Sequence, residues 1–332
     1  MPRLLRANAT ETWLVLVLAI MCLGLSLASD KFFTVANLFN LLNTSSVNLI
    51  FAVGLLVVLI AGGIDISFAV AASVVQYVVA VALPHIGGGN WVIGIGLAAI
   101  VGGALGAFNA ALIYYFRIIS IVVTIATFNI FFGLLMFFTH GVSIYNLPPW
   151  WTNRIVLFEF QQANGQWAEL MLPVGIMALC VLATWILIRH STTGRQLYAF
   201  GDNPEGARRL GINIAAMHFI AFGWLGMMAG IGGIAQVHYA QEVVPNALIG
   251  RELDVLAAVV LGGARLGGGK GTVLGCILGV LLISITQNGL NLLGISPYAF
   301  KMIVGAIILA AIVLSNAPLG KLLASFKQRS RA

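Results

Sequence analysis

Of the 332 residues in this chain, 60% are hydrophobic and only 8% are charged, and the mean hydropathy is +1.02. A soluble domain carries roughly 25% charged residues, so this composition excludes a water-exposed globular fold and makes lipid the expected solvent. The net charge of +7 is gathered in short clusters between apolar runs, with no continuous basic face, which excludes a nucleic-acid surface.

A spanning helix takes about 20 apolar residues. In chain order the apolar runs are 12–29, 45–62, 65–83, 91–115, 118–139, 169–188, 214–239, 253–264, 271–293 and 298–315. They predict an all-α polytopic membrane protein, a single transmembrane domain over 1–332 with about ten helices. The first run follows a basic start and ends in Ser26-Leu27-Ala28, a pattern signal peptides share. Its length, and the spans that follow, predict a retained helix. Segment 31–43 is amphipathic and too short to span, so it is expected along the outer interface. The eighth run is too short to cross alone, which points to a broken or re-entrant helix of the kind that lines transport paths.

Asp65, in AGGIDISFAV, stands far from other charges; the nearest are Lys31 and Arg117. An ionisable group at membrane depth costs at least ~2.5–3.5 kcal/mol and is functional or paired by default. Two readings follow: Asp65 or Ser67 caps a helix that starts after a break at Gly62-Gly63, or Asp65 touches the solute. Asn109, Thr124, Thr127, Asn129, Gln287, Asn288 and Asn291 are further polar residues within spans. They suit a neutral polyhydroxyl solute, and interhelical hydrogen bonding explains them as well. Close-spaced glycines (Gly102, Gly103, Gly106; Gly226, Gly230, Gly233; Gly271, Gly275, Gly279) predict tight helix crossings. GGIDIS and RELDVLAAVV each place an Asp at the start of an apolar helix, as an internal duplication would.

The segments between spans differ in kind. Segment 140–168, with Pro148, Pro149, Trp150, Trp151 and Trp167, is expected to be an external loop with its tryptophans at headgroup level. Segment 189–213 is the longest polar stretch on the side expected to be cytoplasmic. There Asn203 suits an N-cap, Pro204 the first helical position, Glu205 the first turn, Arg208 and Arg209 the last turn, and Gly211 the end. Such a short, well-capped helix is a plausible docking element. Alternating the spans places 13 basic residues on one side and four on the other, so the 13-residue side and both chain ends are expected in the cytoplasm.

Enzyme chemistry has no candidate: no catalytic residue, metal site or cofactor is expected on this chain. His85, His140, His190, His218 and His238 are scattered without a partnered carboxylate, and no GxSxG appears. Cys22, Cys180 and Cys276 show no ligand spacing. GARLGGGKGT departs from the P-loop pattern at Ala264 and Gly271, and is expected to be a tight turn between spans.

GRQLYAFGDNPEGARRLGIN resembles the cytoplasmic motif of permease subunits of ABC importers in the ribose, xylose and simple-sugar class. GGIDIS resembles that family's G-G-I-D-[LV]-S signature, and Glu252–Gly275 its E-L-D-x-I-A-A-V-V pattern with the glycines that follow. Phe68-Ala69 stand where valine-glycine is usual, and Leu256 replaces an isoleucine. The resemblance runs in order through nearly the whole chain. It implies a permease in the bacterial inner membrane, paired with a second copy or close homologue to form the pore. An ATPase subunit carrying ATP and Mg would dock on segment 194–211, and a periplasmic solute-binding protein would deliver a small neutral sugar or sugar-like solute. Carried over for the ATPase contact are Gly194, Arg195, Tyr198, Gly201, Asn203, Ala207 and Gly211; Asp65, Ser67, Glu252 and Asp254 carry over as signature positions near the pathway. The alternatives are an ion-coupled secondary transporter and a related branched-chain amino acid permease. A pentose, hexose, deoxyhexose or autoinducer-2-like solute all fit.

Overall fold

A computed structural model describes residues 9–162, 165, 167–296, 299–303 and 305–306. In chain order the elements are α1 (Ala9–Ala28), α2 (Val35–Ile60), α3 (Phe68–Ala82, continued by a 3-10 turn Leu83–Ile86), α4 (Trp91–Phe116), α5 (Ser120–Thr139), α6 (Pro149–Thr152), β1 (Val156–Gln161), β2 (Trp167–Met171), α7 (Leu172–His190), α8 (Thr192–Asp202), α9 (Pro204–Arg209), α10 (Ile214–Ala240), α11 (Arg251–Leu261) and α12 (Val273–Leu292). Among the described residues, eight helices are long and apolar enough to cross a bilayer: α1, α2, α3 with its 3-10 turn, α4, α5, α7, α10 and α12. The chain is therefore a multi-pass, all-α membrane protein. Most of the predicted tenth run, 298–315, lies outside the described residues, as do Arg3, Arg6 and the C-terminal basic cluster.

The axis of the bundle is α2. Every residue from Leu49 to Ile60 is buried, because FAVGLLVVLI is apolar on all faces and only a helix surrounded by others satisfies such a sequence. Segment 31–43 departs from its predicted place at the interface. The helix begins at Val35, with the Thr34 side chain accepting from Asn37 N (3.3 Å), and runs unbroken into the span. Its polar residues have fixed partners: Asn37 and Asn288 exchange reciprocal amide hydrogen bonds (3.0 and 2.9 Å). Asn43 donates to the Glu169 carbonyl (2.8 Å) and accepts from Met171 N (2.9 Å), so one amide seats strand β2 on α2.

Two crossings are as tight as the glycine spacing predicts. On α4 and α10, a methyl at Gly102 would land on the Gly226 carbonyl and one at Gly106 on the Phe222 carbonyl, with Gly226 and Gly230 blocked in turn by Gly102 and Ala98. The pair α11–α12 repeats the arrangement, with Gly275 against the Gly262 carbonyl and Gly279 against that of Ala258. In lipid, where apolar burial adds little, this backbone contact is what holds helices together.

The bundle has two dissimilar ends. At one, α8 meets the C-terminus of α2 and the turn 262–272, and α9 packs on α8 and α10. At the other, β1 and β2 form an antiparallel hairpin that the reading of 140–168 as a loop did not include. The tryptophans of that region also differ from expectation. Trp151 is fully buried and donates to the Ile234 carbonyl (3.0 Å), while Trp150 donates to that of Gly88 (2.7 Å) and stacks on Trp151. Their N–H groups are satisfied by neighbouring backbone, and only Trp167 stays exposed.

Candidate functional site

Most of the candidate residues fall into three groups. The first is centred on Asp65, in the non-helical segment between α2 and α3. Asp65 and Ser67 are 2% and 1% exposed. Asp65 Oδ1 accepts from Ser67 N and from Ser67 Oγ, both at 2.7 Å. Asn109, on α4, donates to Ser67 Oγ (2.8 Å) and at 3.4 Å to Asp65 Oδ2. The segment is tied to α5 as well: Ile64 N donates to Ser120 Oγ (2.9 Å), and Thr124 Oγ1 donates to the Ile64 carbonyl (3.3 Å). Ser67 occupies the N-cap position of α3, yet its side chain caps no helical N–H; the carboxylate of Asp65 instead fixes the turn leading in, an aspartate turn closing on the residue two ahead. A carboxylate held this way fixes the geometry of the break between α2 and α3 and has no open side for a solute. Thr127 is buried nearby on α5, whereas Asn129 is exposed and bonds back to the Ile125 carbonyl (2.8 Å).

The second group is the polar segment after α7. The short helix begins at Asn203, whose side chain accepts from Gly206 N (2.9 Å), with Pro204 at its first position, Glu205 in its first turn and Arg208 and Arg209 in its last. Gly211 follows with φ +77°, the left-handed conformation that suits glycine after a helix end. Sequence reasoning missed α8 before it, capped by Ser191 accepting from Gly194 N (2.9 Å). Two glycines lower the helix propensity of that stretch, and both are there for contact. A side chain at Gly194 would strike the Leu187 and Ile188 carbonyls, and one at Gly201 the Ile60 carbonyl and Gly269 N. Tyr198 donates to the Gly271 carbonyl (2.6 Å). Burial raises the phenol pKa against a weaker lowering by Arg189, so at neutral pH it is a donor. Gly269 N also donates to the Ile60 carbonyl (2.9 Å).

The seven residues of this motif therefore divide. Gly194, Tyr198, Gly201 and Ala207 face the bundle and hold α8 and α9 against it. Arg195, Asn203 and Gly211 are exposed, beside Glu205, Arg208, Arg209 and Leu210, the last 79% exposed. The Arg209–Glu205 pair (3.5 Å) is exposed on both sides and adds little stability.

The third group surrounds α11. Glu252 is buried and its carboxylate turns back to accept from Gly250 N (2.9 Å). Arg251 reaches Asn48 Oδ1 on α2 (3.4 Å). Asp254 is half-buried, within electrostatic reach of Arg251 and Lys301. It lines a narrow cavity with Asn48 of α2, Val255 and Ala258 of α11, and Val280, Ile283 and Ser284 of α12. Gln287 is half-buried on α12, next to Asn288 in its clasp with Asn37. Asn48 and Ser284 were not among the sequence candidates. A polar residue recurring at four-residue steps on α2, Asn40, Thr44 and Asn48, was the available signal.

The chain matches the family model described as "Branched-chain amino acid transport system / permease component" over residues 37–312. It is 34% identical to the ribose import permease protein of Escherichia coli (strain K12) over 324 residues, 94% of this chain and 97% of that one. The ribose import permease protein of Bacillus subtilis (strain 168) is 32% identical over 90% of each chain. An autoinducer 2 import system permease protein of Photorhabdus luminescens is 30% identical over 95% of this chain and 92% of its own. No solved structure matches.

Proposed function

Because the chain belongs to the family of permease components of branched-chain amino acid transport systems, we propose that it is the membrane subunit of an ATP-driven ABC importer for a small neutral sugar or sugar-like solute. The family description names amino acids, but the relatives above are named for ribose and autoinducer 2, and they favour a polyhydroxyl solute. The polar residues within the spans are mostly neutral amides and hydroxyls, which agree with an uncharged cargo better than an ion-coupled mechanism does.

The observation that carries the reading is the α8–α9 segment. It is clamped to the bundle by Tyr198 and by the approach of Gly201 to the end of α2. Its outer face offers Arg195, Arg208, Arg209 and the projecting Leu210, one apolar knob ringed by charge. An ATPase subunit that carries ATP and Mg docks on that face. A displacement there reaches α2 and the 262–272 turn directly, because both touch Gly201. The basic residues of 189–213 and 262–272 lie at this end, which supports a cytoplasmic placement under the positive-inside bias. The termini are then cytoplasmic too, the membrane is the bacterial inner membrane, the hairpin end meets a periplasmic solute-binding protein, and a second copy or close homologue completes the pore.

The test is capture of the tagged chain from gently solubilised native membranes. A P-loop ATPase should come with it, and Leu210→Asp together with Arg208→Glu should abolish that capture while the chain still inserts. A chain recovered alone, whose vesicles accumulate solute on an ion gradient, would make it a secondary transporter.

A further inference from the structure

Two polar-lined clefts of this chain lie along one polar stripe of α2. At the hairpin end, Asn40, Asn43, Arg154, Trp167, Glu169 and Tyr239 line a cleft between the start of α2, strand β2 and the end of α10. From Asn40 the polar residues of α2 continue to Thr44 and Asn48. Residues four apart on a helix lie one above the other, so these three form a stripe along one face. Asn40 is exposed, a costly state for an amide if that face met lipid; Thr44 is exposed too, with its hydroxyl turned back to the Asn40 carbonyl (2.8 Å). The stripe ends in the cavity shared by Asn48, Asp254 and Ser284.

The depth of that cavity follows from the helices. Asn48 stands midway along α2, about 18–20 Å from either end by the 1.5 Å rise per residue. Ser284 lies near the middle of α12. Helix α11 has 11 residues, about 16 Å, so it is a half-helix whose first turn starts near mid-bilayer and whose end reaches the turn beside α8. Half-helices beginning at the midplane and flanked by polar groups are where transport folds place their solute. Ser284 is 8% exposed, lines the cavity and has no hydrogen-bond partner among the described residues. Asp254 brings acceptor oxygens, Arg251 brings donors, and the Asn48 amide brings both.

We infer that these clefts and the stripe between them form a furrow on α2, α11 and α12 that is the solute path, and that Asn48, Asp254 and Ser284 form its mid-membrane station for a polyhydroxyl molecule. Solute hydroxyls donate to the Asp254 carboxylate and accept from the amide of Asn48 and the Ser284 hydroxyl, a set that replaces the water a sugar leaves behind. In the conformation described here the station is narrow, and α11 and α12, crossing at Gly275 and Gly279, form its wall. The inference rests on the importer reading for the identity of the solute, but not for the position of the path.

Cysteine accessibility tests it in the assembled transporter. With Cys22, Cys180 and Cys276 replaced by Ala, single cysteines are placed at Asn48, Thr44 and Ser284, and at Ile100 as a lipid-facing control, 71% exposed on α4. Each is reacted with methanethiosulfonate ethyltrimethylammonium, which modifies thiols only in water, in nucleotide-free and ATP-bound vesicles. Asn48→Cys and Ser284→Cys should react at least ~10-fold faster than Ile100→Cys in one of the two states. If Asn48→Cys does not assemble, Thr44→Cys decides on the same face. Rates as slow as at Ile100 in both states, in vesicles whose assembled transporter still hydrolyses ATP, overturn the furrow and leave the importer reading standing. Fast labelling in vesicles driven by an ion gradient upholds the path and removes the importer.

Discussion

The chain starts two helices with an acidic residue a few positions after a left-handed glycine: Gly62 (φ +84°) before Asp65, and Gly250 (φ +91°) before Glu252 and Asp254. On paper the two look like copies. In the fold they are opposites. Asp65 is sealed, its carboxylate consumed by Ser67, with Asn109 bracing both from α4. At the second start the sealing role falls to Glu252, which turns back on Gly250 N, and this releases Asp254 to face a cavity. A carboxylate spent on a backbone break is not free to face a cavity; the second site has two, one turned back on the backbone and one lining the cavity.

Substitutions can break or sharpen that contrast. The largest effect is expected from Asp65→Ala, which removes two charge-assisted hydrogen bonds inside the protein, about 1.5–3 kcal/mol each. Thermal unfolding of the purified transporter in detergent should show a loss of about 3 kcal/mol or more, whereas Asp254→Ala should cost under about 1 kcal/mol. Equal losses would erase the distinction.

Next is Asp254→Asn, for which uptake should fall about tenfold, near 1.4 kcal/mol of transition-state stabilisation, with ATPase capture and thermal stability unchanged. Unaltered uptake would put Asp254 outside the path. Asn109→Ala should lower stability by about 1 kcal/mol, the usual value of a hydrogen bond across membrane helices, and leave the solute affinity of the complex alone. The smallest effect belongs to Glu252→Gln. The amide still accepts from Gly250 N, so stability should change by at most about 1 kcal/mol and uptake should stay near the parent rate. A transport defect as large as that of Asp254→Asn would move Glu252 into the path too.

Much of this was legible beforehand because membrane spans announce themselves by length and apolarity, and a helix such as 204–209 by its caps. The short eighth run and the glycine crossings were also readable, since in lipid a small residue every fourth position has few other uses. What escaped has a common physical origin: polar or amphipathic residues whose partners lie far along the chain. Asn37 and Asn43 made 31–43 look interfacial, yet they bind Asn288 and the backbone of β2. Trp150 and Trp151 have the bodies and N–H groups of interface anchors, but a backbone carbonyl far along the chain, Gly88 or Ile234, satisfies an indole as well as a headgroup does. Helix α8 was hidden by Gly194 and Gly201, kept for contact at the expense of propensity. At the Asp65 site the residue and its place at a helix break were visible, but Asn109 as its brace was not. At Asp254 the residue was visible and the cavity was not, because Asn48 and Ser284 are unremarkable until three helices bring them together.

The contact of the Ile60 carbonyl with Gly269 N, under Gly201, gives α2 a mechanical part. The helix is a rod of 26 residues, about 39 Å long, gripped along its inner half by apolar neighbours. One tip rests on the crossing of α8 with the 262–272 turn, and about two turns in from the other Asn43 clasps the hairpin. A rod held at both places ties the position of the hairpin to that of α8. The two dissimilar ends of the bundle thus share one member, and a shift at either end is borne by the same helix.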